Sequence, residues 1–81
     1  MSSLTDPQKD KVLKALPKVE KKLGEDLMPS ILALMVRNDL TIEDRNEFVG
    51  NIFTIAYGET FEGIVGSIDR INKLIKIYNK Q

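Results

Sequence analysis

The sequence predicts an all-α protein, a compact bundle of four or five helices that forms a single domain over residues 1–81. Apolar residues recur at spacings of three and four in the first and last parts of the chain, which is the period of an amphipathic helix. No stretch alternates between apolar and polar residues as a half-buried strand does. These two observations exclude a sheet as the core of the protein.

A third observation concerns residues 27–36, which carry no charge and only one polar side chain, Ser30. The stretch is shorter than the roughly 20 apolar residues that a membrane-spanning helix needs. A helix that is apolar all round must be covered on several sides. We therefore expect a central apolar helix at residues 26–37, wrapped by the other helices.

The first amphipathic segment opens with two competing start signals. Asp6 followed by Pro7 is typical of an N-cap and the first helical residue. Thr5, with Gln8 three residues later, forms a capping-box pattern that starts the helix one residue earlier. At the other end of the segment, Gly24 is typical of a helix C-terminus.

The apolar stripe of this first segment predicts one helix with a kink near Pro17. Proline inside a helix removes a backbone hydrogen bond and collides with the carbonyl group four residues earlier. We expect either a kink or a break into two short helices near residues 14–17. The continuous phase of the stripe favours the kink, since four residues keep spacings of 4, 3 and 4 across it: Val12, Leu16, Val19 and Leu23.

Two further helices follow the central one. Thr41 is the expected N-cap of the third, and Gly58 and Thr60 separate it from the fourth. The fourth, residues 60–79, has a heptad-like stripe made of Phe61, Ile64, Ile68, Ile71, Ile75 and Tyr78. It is too short for a free coiled coil, so a bundle helix is the better interpretation. Short loops predict mostly antiparallel neighbours.

The composition argues against catalysis. The chain has no Cys and no His, which removes thiolate ligands, the commonest metal ligand and the commonest general base. It contains no P-loop and no dinucleotide-binding fingerprint. The acidic cluster of Glu43, Asp44 and Glu47 is explained by the electrostatics of a helix start rather than by a metal ion. We expect a protein that is not an enzyme and that has no cofactor and no metal site.

Charge is segregated although the net charge is zero. Residues 8–24 carry six lysines against two acids, and residues 25–62 carry two arginines against eight acids. Four lysines form a stripe of their own beside the apolar stripe of the first helix: Lys11, Lys14, Lys18 and Lys21. Such a basic amphipathic helix binds acidic proteins, nucleic acid or anionic lipid. No aromatic residue accompanies it in the segment, which disfavours nucleic acid and membrane.

A second candidate docking surface lies at the C-terminus. Leu74, Ile77 and Tyr78 widen the last apolar stripe beyond what one small core covers, and exposed apolar groups of this kind mark contacts. The two surfaces together predict a protein–protein interaction module, a small subunit or regulator of a larger assembly, with self-association included. Binding of nucleic acid or anionic membrane through the lysines is the alternative. The N-terminus has no secretory signal pattern, so the expected location is cytoplasmic, with nuclear also open.

One stretch resembles a known family. The helix with an internal proline, the apolar helix and the sequence Leu40-Thr41-Ile42-Glu43-Asp44 together resemble a caspase-recruitment domain of the death fold. The resemblance covers residues 12–49 and implies homotypic assembly as a further alternative function. The sequence departs from the family afterwards, because the long heptad stripe at residues 61–78 is unlike the short later helices of such domains.

Overall fold

The computed structural model describes residues 3–79 and consists there of four α-helices. The all-α class and the bundle architecture are confirmed. The helices are α1 (Asp6–Leu23), α2 (Met28–Met35), α3 (Ile42–Tyr57) and α4 (Phe61–Tyr78). Helix α3 packs against both α1 and α4, and α2 packs against α4.

The central element is therefore α3, and the expectation that the other helices wrap residues 27–36 is wrong. Helix α2 has eight residues, about 12 Å at 1.5 Å per residue, half the length of α3. It buries one face, which consists of Ile31, Leu34 and Met35. Its other side is open, with Leu32 41% and Val36 71% exposed. An apolar composition permits burial on every side, but so short a helix does not offer the contact area that would hold three neighbours.

The start of α1 follows the capping-box prediction. The Gln8 backbone N–H donates to Thr5 Oγ1 at 3.3 Å, and the Thr5 N–H donates to Gln8 Oε1 at 2.9 Å. Asp6 is the first helical residue, so its assignment as the N-cap is wrong. The helix runs without interruption through Pro17, which excludes a break into two helices, whereas the kink stays a prediction.

The helix directions follow from contacts at the helix ends. Gln8 Nε2 donates to Asn46 Oδ1 at 3.4 Å, and Lys22 Nζ donates to the Ala56 carbonyl at 3.3 Å. Both ends of α1 thus lie beside the matching ends of α3, and the two helices run parallel. The prediction of mostly antiparallel neighbours fails for this pair. The physical reason is that α2 returns the chain to the end where α1 began.

Gly58 lies in the tight connection between α3 and α4. Thr60 is the N-cap of α4, and its side chain accepts the Gly63 N–H at 3.1 Å. A Cβ atom at Gly58 would lie 2.4 Å from the Thr54 carbonyl oxygen. A side chain is excluded there because the obstacle is backbone. Gly24, at the end of α1, is required for a different reason, since its φ of +82° strains any L side chain.

We expect Gly58→Ala to destabilise the protein by about 1–3 kcal/mol, because the backbone must move to relieve the overlap. Gly66→Ala is the matched control, since a Cβ at that helical position meets nothing within 4 Å. It should stabilise the protein by about 1 kcal/mol through helix propensity. Urea denaturation of both variants measures the difference, and equal shifts of the same sign would contradict the proposed turn geometry.

Leu34→Ala should cost about 2–5 kcal/mol, because Leu34 is 1% exposed within the core and truncation leaves a cavity. Leu32→Ala, on the open side of the same helix, should cost less than about 1 kcal/mol. Thermal melts followed by circular dichroism compare the two. A Leu34→Ala variant that melts like the wild type would show that α2 is not docked on the core as described.

Candidate protein-binding surface

The four predicted lysines share one solvent-facing flank of α1. Lys11, Lys14, Lys18 and Lys21, called the lysine face below, are all exposed. Lys14 pairs with Asp10 at 3.1 Å, one helical turn away. Because both side chains are exposed, this pair adds less than about 1 kcal/mol and does not remove the lysine from use. The lysine face therefore stays available to a partner.

Tyr57 adds an aromatic side chain to the lysine face. Lys18 Nζ lies 5.8 Å from the centroid of the Tyr57 ring, and Tyr57 is 55% exposed. The Phe53 ring lies 6.4 Å from the Tyr57 ring and is partly buried against the core. The pattern of α1 alone does not predict this aromatic neighbour, because Tyr57 belongs to α3. Only the parallel packing of α1 on α3 brings the two together.

Gly50 leaves a gap in the same part of α3. Asn46, Gly50 and Tyr57 lie four and seven residues apart, which places them on one face of the helix. Asn46 contacts Gln8 near the start of α1, and Tyr57 lies under Lys18. Gly50 therefore lies beside the stretch of α1 between these two contacts, which contains Lys11 and Lys14. A Cβ at Gly50 would meet nothing within 4 Å, so the gap is open to a partner side chain.

The predicted C-terminal docking surface is largely absent. Leu74 is only 4% exposed and belongs to the core, so its proposed role as an exposed docking group is wrong. Ile77 is 60% exposed, as expected for a docking residue. Tyr78 is half-buried and packs on the core cluster. The sequence does not determine which residues of this wide apolar stripe are buried, because it does not show which edge of the stripe faces α3.

Tyr78 instead holds the end of α4 to the start of α3. Its hydroxyl donates to Asp44 Oδ2 and accepts the Thr41 N–H at 3.4 Å. The Arg37 guanidinium lies 5.4 Å from the centroid of its ring. The hydrogen bond to Asp44, together with burial, raises the pKa of Tyr78 above its usual value of 10.0. This arrangement is a structural tether rather than a free surface.

The acidic cluster at the start of α3 is divided among structural contacts. The Asp44 backbone N–H donates to Oγ1 of the N-cap Thr41 at 3.0 Å, and the Asp44 carboxylate accepts the Tyr78 hydroxyl. Glu47 pairs with Arg70 of α4 at 3.1 Å. Nearby, Arg37 and Asp39 form a two-pronged ion pair at 2.8 and 2.7 Å, which lowers the pKa of Asp39. Within residues 3–79 no group of three or more acidic side chains is placed to hold a metal ion.

Within residues 3–79, the large hydrophobic side chain with the highest exposed fraction lies at the start of α4. Phe61 is 82% exposed, and Val65, one turn later on the same side, is 39% exposed. Glu62 and Asp69 are exposed beside them. The heptad spacing of Phe61 matches that of the buried residues and predicted that Phe61 belongs to the packing stripe. Among the helices that the structure describes, none combines the length and apolarity needed to cross a membrane.

Comparison of the chain with models of protein families, with curated proteins and with solved structures finds no match. The class that the observations define is a small four-helix domain with a basic face. The resemblance of residues 12–49 to caspase-recruitment domains rests on those residues alone and stays a prediction.

Tyr78→Phe should cost about 1 kcal/mol at neutral pH, through the lost hydrogen bond to Asp44. A phenol whose pKa is raised on folding stabilises the folded state fully below pH 10.0, and this contribution disappears as the pH rises through the folded pKa. The difference in unfolding free energy between wild type and Tyr78→Phe should therefore shrink in that range. A difference independent of pH would contradict the tether.

Proposed function

We propose that this protein is a small non-catalytic protein-binding module, a subunit or regulator of a larger assembly, whose lysine face docks an acidic surface of a protein partner. One observation carries the proposal. Four lysines stay exposed on one flank of α1 with a single ion pair among them, and an exposed aromatic, Tyr57, lies against Lys18. Aromatic residues are enriched in protein–protein interfaces, and the rims of such interfaces are polar.

The size of the basic area favours a compact partner over a polymer. From Lys11 to Lys21 the lysine face extends about 15 Å along the helix. Acidic residues follow at its end, where Glu25 and Asp26 are exposed just after α1. A longer polyanion would meet these carboxylates, whereas an acidic patch of similar length would not. The zero net charge of the chain also gives no long-range attraction to polyanions.

Nucleic acid remains the rival ligand because Tyr57 adds the aromatic group that α1 lacks. Base stacking needs a free ring face, and Lys18 already lies over the Tyr57 ring at 5.8 Å. Stacking would therefore require Lys18 to move. A carboxylate on a partner protein, in contrast, can pair with Lys18 where it stands, and the aliphatic stem of the lysine and the ring then pack together.

The test uses a synthetic glutamate-rich helical peptide as the acidic probe, in fluorescence anisotropy with the whole chain. A triple variant should bind the peptide at least tenfold more weakly, because the lysines supply the attraction. It combines Lys11→Gln, Lys14→Gln and Lys18→Gln. The matched control is Lys9→Gln, Lys73→Gln and Lys76→Gln, which changes the net charge equally but lies outside the lysine face. It should bind nearly as the wild type does.

Two outcomes would overturn the proposal. Equal weakening by both triple variants would show that only bulk charge matters. Tighter binding of a single-stranded oligonucleotide or of phosphatidylserine vesicles than of the peptide would favour the rival class. For the oligonucleotide, the logarithm of the affinity should then fall linearly and steeply with the logarithm of the salt concentration.

A further inference from the structure

We propose that the acidic surface that docks on the lysine face belongs to a second copy of this chain. The docking element is the start of α4, made of Phe61, Glu62, Val65 and Asp69 and called the α4 ridge below. This inference rests on the proposed function, because it names the partner of the same lysine face. It adds a second interaction surface, which the lysines alone do not define.

The α4 ridge combines apolar and acidic groups on one exposed face. Phe61, Val65 and Asp69 follow one another at intervals of four residues, and Glu62 lies three residues before Val65. Side chains at these spacings are neighbours on a helix surface. In residues 3–79, neither Glu62 nor Asp69 takes part in an ion pair. Both carboxylates are thus free to pair with cations of another molecule.

The exposure of Phe61 indicates that this face is covered in an assembly. A phenylalanine that is 82% exposed, followed by Val65 on the same face, leaves apolar surface in contact with water. Covering it would be favourable by about 25 cal/mol per Å² of buried apolar surface. The outer face of α2 also exposes Leu32 and Val36, but it carries no charge that would select one partner.

The lysine face matches the α4 ridge in length, charge and shape. The ridge extends about 12 Å from Phe61 to Asp69, against about 15 Å for the lysine face. The gap at Gly50 lies on the same face of α3 as Tyr57, about 10 Å from it along the helix, and leaves room for the Phe61 ring of the second copy. Glu62 and Asp69 then face the lysines. Beyond Asp69, α4 carries the exposed Lys73 and Lys76, so the complementary stretch ends there.

The two surfaces lie on different sides of the molecule. Helix α1 contacts Asn46 and Tyr57 on one side of α3, whereas α4 contacts Asp44 and Glu47 on another. Each copy can therefore offer its lysine face to one neighbour and its α4 ridge to a second. Such a heterologous contact produces rings or open chains of copies.

Complementation between two variants tests the contact. The first variant combines Lys11→Glu, Lys14→Glu and Lys18→Glu, which removes the lysine face and keeps the α4 ridge. The second combines Phe61→Gln and Val65→Gln, which removes the ridge and keeps the lysine face. In size-exclusion chromatography with light scattering at low salt, the mass of the wild type should rise with concentration. Each variant alone should stay monomeric.

Mixing the two variants should restore association but stop it at a heterodimer, because the mixture holds one intact surface of each kind. Gly50→Gln should weaken wild-type association by filling the gap, whereas Gly50→Ala, which leaves room for the ring, should have little effect. Circular dichroism shows that every variant is folded, and both glycine replacements should favour the helix.

Three results would overturn the inference: a wild type that is monomeric at every concentration, a ridge variant that still self-associates, or a mixture that forms no heterodimer. None of them affects the acidic-peptide test, which reports on the lysine face alone. Failure of the wild type to bind the acidic peptide, or equal weakening by both glutamine triple variants, would instead contradict the proposed function. The two proposals therefore fail in distinguishable ways.

Discussion

The packing of α3 between two longer neighbours is the constraint on which the rest of the structure depends. Its buried face runs through Phe48, Ile52 and Ile55, all at most 1% exposed, and extends to Val49 on one edge and Asn51 on the other. So wide an apolar face cannot be satisfied by one helix. It is covered on two sides, by α1 and by α4, and α2 packs on α4.

The direction of α1 relative to α3 decides the character of the basic surface. In a parallel pair the ends of the two helices coincide, so Tyr57 at the end of α3 lies beside Lys18 and Ala56 lies beside Lys22. An antiparallel pair would have placed the acidic start of α3, with Glu43, near the same lysines. The parallel arrangement keeps the lysine face away from those carboxylates and gives it an aromatic neighbour instead.

The polar contacts of α4 divide the helix into a held half and a free half. Near its end, Tyr78 is tied to Asp44 and Thr41, and Arg70 pairs with Glu47. In the part of the chain that the structure describes, the outward face of the first turns of α4 makes no such polar contact with α3. Phe61 and Glu62 are exposed on this face. The free half is therefore the part of α4 that can serve a partner without disturbing the bundle.

Local signals in the sequence limited the bundle to four or five helices and determined most of the helix ends. The capping pattern of Thr5 with Gln8, the N-caps Thr41 and Thr60 and the glycine at Gly58 act within one turn of the backbone, so they are readable without the fold. Burial was readable where one face of a helix is clearly apolar, as for Val12 and Val19.

Only the tertiary structure decided which helix is central, which edge of a wide stripe is buried and which residues from different helices meet. Residues 27–36 are the most apolar stretch, yet α3 is the central helix, because contact length as well as composition decides how many neighbours a helix can hold. Phe61 belongs to the heptad-like stripe and is exposed, whereas Leu74, which only widens that stripe, is buried. Lys18 meets Tyr57 across 39 positions of sequence, a proximity that depends on chain direction, and no local pattern encodes that direction.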